Sequence, residues 1–237
     1  MSKTGTAFFR NSVLVVAAHP DDEVLGCGGT IARLAQEGAA VHILLLADGE
    51  TSRTLNTRQR RNRRAIVARN AAAKAAFAIL GGTSLEILTF PDNRMDSVEL
   101  LKVVQKIEGA IEHRRPKSVF THHGGDVNID HRIVHDAVLA ACRPIPQHPV
   151  RQLLFFEVPS STEWRPPGSA AAFCPNLFVD ISRTLAIKLK ALEAYETELR
   201  SFPHPRSLRA VTALAHWRGA SAGVMAAEAF ILGRDVI

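Results

Sequence analysis

Val13-Leu14-Val15-Val16-Ala17-Ala18 is an unbroken apolar run, and it ends abruptly on His19-Pro20-Asp21-Asp22-Glu23. So short a run, apolar at every position, reads as a strand buried on both faces, the kind found in a parallel sheet covered by helices. The pattern continues along the chain. Further strands are expected at 41–46, 85–90, 117–122, 152–158, 176–180 and 227–232. Helices are expected at 26–37, 57–80, 96–115, 131–142, 182–200 and 208–218, with Gly38 and Gly81-Gly82 as stops and Asp96 or Ser97 as a cap. This order predicts an α/β, Rossmann-like, mostly parallel sheet with helices on both faces. No repeat and no long linker divides the 237 residues, so 1–237 reads as a single domain.

The charged motif stands where open α/β sheets place their ligands, at the carboxyl end of a strand. One imidazole and three carboxylates at one strand end suit a divalent metal, which offsets their repulsion. A solvated acidic turn is the plain alternative. Pro20 holds His19 extended, and the turn that follows lets residues three apart face one point, so His19 and Asp22 are candidate ligands. A third can come from Asn128-Ile129-Asp130-His131, after the fourth strand. His131 is favoured because the strand-end loop delivers it; His135, one helical turn on, is the alternative ligand or a helix-face histidine. His122 and His123 either line the cavity or sit in solvent. A His2Asp site with an open position activates water and polarises a carbonyl, and Asp21 is then the natural general base.

Composition narrows the classes. Hydrophobic residues make up 46% and charged residues 22%, an ordinary globular balance. No apolar stretch is long enough to cross a bilayer, and no secretory leader is expected. Cys27, Cys142 and Cys174 form no CxxC pair, which points to a reducing cytoplasm. The net charge of +6 is concentrated in Arg53, Arg58, Arg60, Arg61, Arg63, Arg64 and Arg69. That cluster suits a substrate phosphate, nucleic acid or only water. With 6% aromatic residues, stacking platforms for single strands are scarce. Gly26-Cys27-Gly28-Gly29 lacks GxGxxG spacing and follows three carboxylates, which argues against dinucleotide binding.

These motifs resemble the PIG-L/LmbE family of zinc-dependent N-deacetylases. Ala18 to Glu23 is that family's AHPDDE motif intact, and Asn128 to His131 matches its second motif, HPDH or NxDH. Weaker likenesses are Arg69 with Leu80-Gly81, Pro91-Asp92-Asn93-Arg94, and His204-Pro205-Arg206-Ser207. The resemblance implies Zn2+ on His19, Asp22 and His131, with Asp21 as base. It implies Arg69, Asp92 and His204 as substrate-binding residues, Asp92 toward a sugar hydroxyl. Plain alternatives are a helix-surface charge for Arg69 and a turn former for Asp92.

The resemblance further implies removal of acetyl from an N-acetylated amino sugar, nucleotide- or lipid-linked, in a surface-polysaccharide or amino-sugar pathway. The expected partner is that small molecule, with no nucleic acid and no transmembrane segment; a homo-oligomer is compatible. HPDH members carry histidine where this chain has Asn128, which can donate a hydrogen bond to an oxyanion but cannot act as an acid. Asp21 then both takes and returns the proton, and Asp130 orients a neighbour. The competing readings are an amidase acting on another amide, such as a thiol-linked amino-sugar conjugate, and a nucleic-acid-binding protein using Arg53 to Arg69.

Overall fold

The computed structural model describes residues 12–49 and 59–237, the side chains of 59–62 excepted. Seven strands form one sheet in the order β3-β2-β1-β4-β5-β7-β6. They are β1 (Ser12–Ala17), β2 (Ala40–Ala47), β3 (Ser84–Phe90), β4 (Ser118–His122), β5 (Gln152–Phe156), β6 (Leu177–Asp180) and β7 (Ala227–Asp235). The first five pair in parallel, and β7 runs antiparallel to both its neighbours. The helices are α1 (Asp22–Gln36), α2 (Gln59–Leu80), α3 (Leu100–Arg114), α4 (Ile129–Ala141), α5 (Leu185–Glu193) and α6 (Leu208–Ala222).

The apolar run behaves as its composition requires. Val13, Val15 and Ala17 point into one core with α1, α2, α5 and α6, while Leu14, Val16 and Ala18 point into the other with α3 and α4. Each buried Val or Leu there stabilises the fold by about 1.5–3 kcal/mol. The chain order reverses at β1, which has β2 on one side and β4 on the other. The carboxyl ends of β1 and β4 therefore flank the crevice where such sheets bind ligands.

Three local expectations are corrected. First, α1 opens at Asp22 instead of Gly26, and it kinks at Cys27, whose φ of −148° and ψ of 23° leave the helical region. The glycine run around that kink serves packing: a Cβ on Gly26 would stand 2.3 Å from the Phe156 ring, and one on Gly29 would stand 2.8 Å from Ile181. Second, Met95–Ser97 is a separate 3-10 turn and α3 starts after Glu99, so neither Asp96 nor Ser97 caps it. Third, α5 covers Leu185–Glu193 only, and turns follow it through Glu198 toward α6.

Candidate metal centre

Asp21 sits between β1 and α1 with φ 113° and ψ −28°, a left-handed conformation that costs a non-glycine residue energy. The geometry places consecutive side chains on different tasks: Asp22 turns back toward His19, and Asp21 faces the α6 side. Asp22 Oδ2 accepts the His19 backbone N–H at 2.9 Å and lies 3.2 Å from His19 Nδ1. His131, in the first turn of α4, brings Nε2 to 3.2 Å from the same oxygen. One donor atom from each of His19, Asp22 and His131 falls within 4.8 Å of the others, all three residues being buried.

The far side of each imidazole is also held. His19 Nε2 meets Asp130 Oδ2 at 2.9 Å and Asp92 Oδ1 at 3.2 Å. His131 Nδ1 meets Asp126 Oδ2 at 3.1 Å. These contacts leave Nδ1 of His19 and Nε2 of His131 facing Asp22, the carboxylate–histidine arrangement that orients metal ligands. A second acidic group, His19 with Asp92 and Asp130, also meets the spacing for a cation. Its carboxylates already accept donors: Asp130 from the backbone N–H of Asn93 at 2.6 Å and of Met95 at 3.0 Å, and Asp92 from Asn93 Nδ2 at 2.9 Å. In the first group, Asp22 Oδ1 and His131 Nε2 are buried without a hydrogen-bond partner among the described residues. Buried polar atoms are rarely left so, and a cation between them would satisfy both.

Electrostatics agree with this division. Burial opposes charging His131, yet Asp22 and Asp126 hold its pKa up at about 9. Burial also opposes charge on His19, but Asp130, Asp22 and Asp92 raise it well above 6.5. Asp22 goes well below the usual carboxylate range: burial pushes it up, and the imidazoles of His131 and His19 pull it down further. His122, from the end of β4, stacks on His131 at 3.9 Å between ring centroids and accepts the Ala18 N–H through Nε2 at 2.8 Å. Burial, then the positive His131, depresses it well below 6.5, so it stays neutral.

Asp21 is also buried. Its Oδ2 pairs with Arg206 Nη1 at 3.0 Å and lies 3.7 Å from Arg69 Nη2, while Oδ1 has no hydrogen-bond partner among the described residues. Burial raises its pKa, and the two arginines pull against that. Glu198 bridges Arg69 and Arg206. Glu23 points away, accepting from the Tyr195 hydroxyl at 2.6 Å; burial lifts its pKa to about 7.

The remaining expected site residues fall as follows. Asn128 caps α4: its Oδ1 accepts the Asp130 N–H at 2.8 Å, and its Nδ2 donates to Asn93 at 3.0 Å. Asp92 is buried against His19, and Arg69 is buried between Glu198 and Asp21, not on a helix surface. His204 is half-buried, with its ring edge-on to Trp164 at 5.8 Å and Nδ1 accepting the Arg206 N–H at 3.1 Å. His135 bonds the His122 carbonyl at 2.8 Å and packs on Phe155, away from Asp22. Arg63 and Arg64 are exposed, and Arg53 and Arg58 lie outside the described residues.

Sequence reasoning missed Asp126, Glu198 and the part of Arg206 in this network. Asp126 stands two residues before the recognised motif in a glycine-flanked loop, which was its only signal. Glu198 and Arg206 are more than 170 residues from Asp21, and no spacing rule connects them.

The family model described as PIG-L, GlcNAc-PI de-N-acetylase, matches residues 14–142, which contain both halves of the cluster. The chain is 30% identical to the uncharacterized deacetylase YaiS of Escherichia coli K12, over 79% of this chain and 92% of that protein. It is 29% identical to a protein of Bacillus cereus named "probable N-acetyl-alpha-D-glucosaminyl L-malate deacetylase 2", over 78% and 83% respectively. Among solved structures, a conserved protein of Thermus thermophilus superposes with TM-score 0.72 at 29% identity, over 95% of each chain. A 4-carboxy-2-hydroxymuconate hydratase of Pseudomonas putida shares the fold at TM-score 0.75 and 21% identity, over 96% of this chain and 98% of that one.

Proposed function

The chain belongs to the PIG-L family of GlcNAc-PI de-N-acetylases, and from that premise we propose that it is a zinc-dependent hydrolase removing the acetyl group from an N-acetylated amino sugar. A hydratase has the same fold, so the fold cannot select the reaction and the site must. One observation carries the reading: His19, Asp22 and His131 converge within 4.8 Å, next to a buried Asp21 whose Oδ1 has no hydrogen-bond partner among the described residues.

Two histidines and an aspartate suit zinc with a fourth position open. Zinc, when bound there, supplies Lewis acidity that makes a water more acidic and polarises an amide carbonyl. Asp21 is the general base. Arg206 and Arg69 fix its Oδ2, and Oδ1 is left to accept a proton from the attacking water and return it to the departing amine. Both polar groups of Asn128 are engaged in the loop, which leaves Asp21 to perform both transfers. Asp130 and Asp92 act through His19, holding its Nε2. The whole of 1–237 is one catalytic unit, whose sheet takes strands from Ser12 to Asp235.

The substrate class follows from relatives named for N-acetylglucosaminyl compounds. The test is release of acetate and a primary amine from N-acetylglucosamine, diacetylchitobiose and UDP-N-acetylglucosamine. Activity should vanish on chelation and return with zinc. A zinc-loaded enzyme that frees no amine from any of them would overturn the reading. Equal kcat/KM for the free and nucleotide-linked sugars at low salt would remove a phosphate-binding part for Arg53 to Arg69.

A further inference from the structure

The loop after β5 carries three consecutive hydroxyl residues, Ser160, Ser161 and Thr162, all of them buried. They face two different parts of the site. Ser160 Oγ accepts from Arg206 Nε at 2.6 Å, and Arg206 Nη1 reaches Asp21 Oδ2 at 3.0 Å. Ser161 Oγ donates to Asp126 Oδ1, and Thr162 Oγ1 donates to Asp126 Oδ2 at 2.8 Å. Asp126 in turn holds His131 Nδ1. Thr162 Oγ1 also accepts the Val158 N–H at 2.8 Å, which directs its own proton toward Asp126.

The turn itself is firmly built. The Glu163 carboxylate accepts the backbone N–H of Ser160 at 2.6 Å and of Ser161 at 3.2 Å, and the Val158 carbonyl accepts those of Ser161 and Thr162. Ser160 has φ 70°, a left-handed conformation that favours glycine. A serine there costs backbone strain, so its hydroxyl has to contribute something that glycine would not.

Resting on the function proposed above, we propose that Ser160-Ser161-Thr162 is a single positioning element for both halves of the site: Ser160 sets Arg206 on Asp21, while Ser161 and Thr162 set Asp126 behind His131. One rigid turn then fixes the distance between the base and the third ligand, a relation that neither strand end controls alone.

The test uses the full chain. Ser160→Gly removes the hydroxymethyl group and with it the Cβ that strains the backbone at φ 70°, so folding is preserved. Its zinc dissociation constant, measured by chelator competition, should stay within about twofold of wild type, while kcat falls about tenfold with KM unchanged. Arg206→Ala should lose more kcat, and added guanidinium should restore part of it, a rescue that a purely structural role would not show. The double variant Ser161→Ala/Thr162→Ala should raise the zinc dissociation constant about 10- to 100-fold, as loss of support behind a ligand does.

Equal zinc weakening by Ser160→Gly and the double variant would overturn the division of labour. So would an unchanged kcat in Ser160→Gly, or unchanged zinc affinity in the double variant. The zinc arm needs no substrate. If wild type cleaves no N-acetyl sugar, the function fails separately, and a crystal structure of Ser160→Gly still decides the other arm. Arg206 displaced from Asp21 supports the proposal, and Arg206 retained there overturns it.

Discussion

Charge is buried at both ends of the first segment of α1, and the two clusters are resolved in opposite ways. At the kink, Lys188 Nζ donates to the Leu25 carbonyl at 2.8 Å and pairs with Glu228 Oε1 at 2.6 Å. Glu228 accepts the backbone N–H groups of Gly29 and Thr30 at 2.9 and 2.7 Å. The pair therefore matches backbone groups that the broken helix leaves open on each side of Cys27. At the helix N-terminus, by contrast, Asp21 Oδ1 and Asp22 Oδ1 are buried without a hydrogen-bond partner among the described residues, and His131 Nε2 meets the Asp22 carboxylate at 3.2 Å. Buried charge alone thus does not distinguish a site from a scaffold. Metal-ligand spacing does: His19, Asp22 and His131 each offer a donor atom within 4.8 Å of the others, whereas among the described residues no such group of three forms at the kink.

The sharpest way to break this comparison is to alter one cluster and read both stability and turnover. Asp21→Asn should lower kcat about a hundred- to ten-thousand-fold while zinc content holds. The amide keeps the shape but cannot take the proton. Near-normal activity with full zinc would remove Asp21 from the chemistry. Lys188→Met should do the reverse. It leaves Glu228 as an unpaired buried charge and should cost about 3 kcal/mol of stability in a denaturant titration, roughly a hundredfold in the folding equilibrium. The zinc-loaded folded fraction should keep its kcat. A stable Lys188→Met protein with lost turnover would place the kink cluster in the site.

A smaller effect concerns protons. In the ion-free protein His131 is held protonated, with a pKa of about 9, and His19 is raised as well. Both must be neutral to ligate. Zinc affinity should therefore rise with pH, about tenfold per unit for each proton released, until about pH 9. Calorimetry in buffers of different ionisation enthalpy should count one to two protons released per zinc at pH 7; none would contradict the carboxylate–histidine geometry. The smallest effect belongs to a third region, the exposed part of α2. Arg63→Gln/Arg64→Gln should change kcat/KM for free N-acetylglucosamine by less than twofold, because exposed charges on a helix face are solvated and screened. A larger loss would put that face at the active-site mouth.

The sequence by itself determined the sheet and the placement of His19, Asp21 and Asp22 at the end of its first strand. Apolar runs with β and α periods follow from which faces must leave water, and that demand is local enough to read from neighbours. Asp21 and Asp22 were legible for the same reason, since a motif joined to a strand end has its surroundings set by the strand. Asn128 to His131 was legible once β4 was expected beside β1. Only the tertiary structure decided what stands behind those residues. That Asp92 faces His19, that Arg69 is buried against Glu198, and that Arg206 and Ser160 hold Asp21 all depend on where loops after β3, β5 and α5 come to rest. Those loops carry no periodicity. Their side chains find partners by packing across 46 to 185 residues of sequence, which spacing along the chain does not encode.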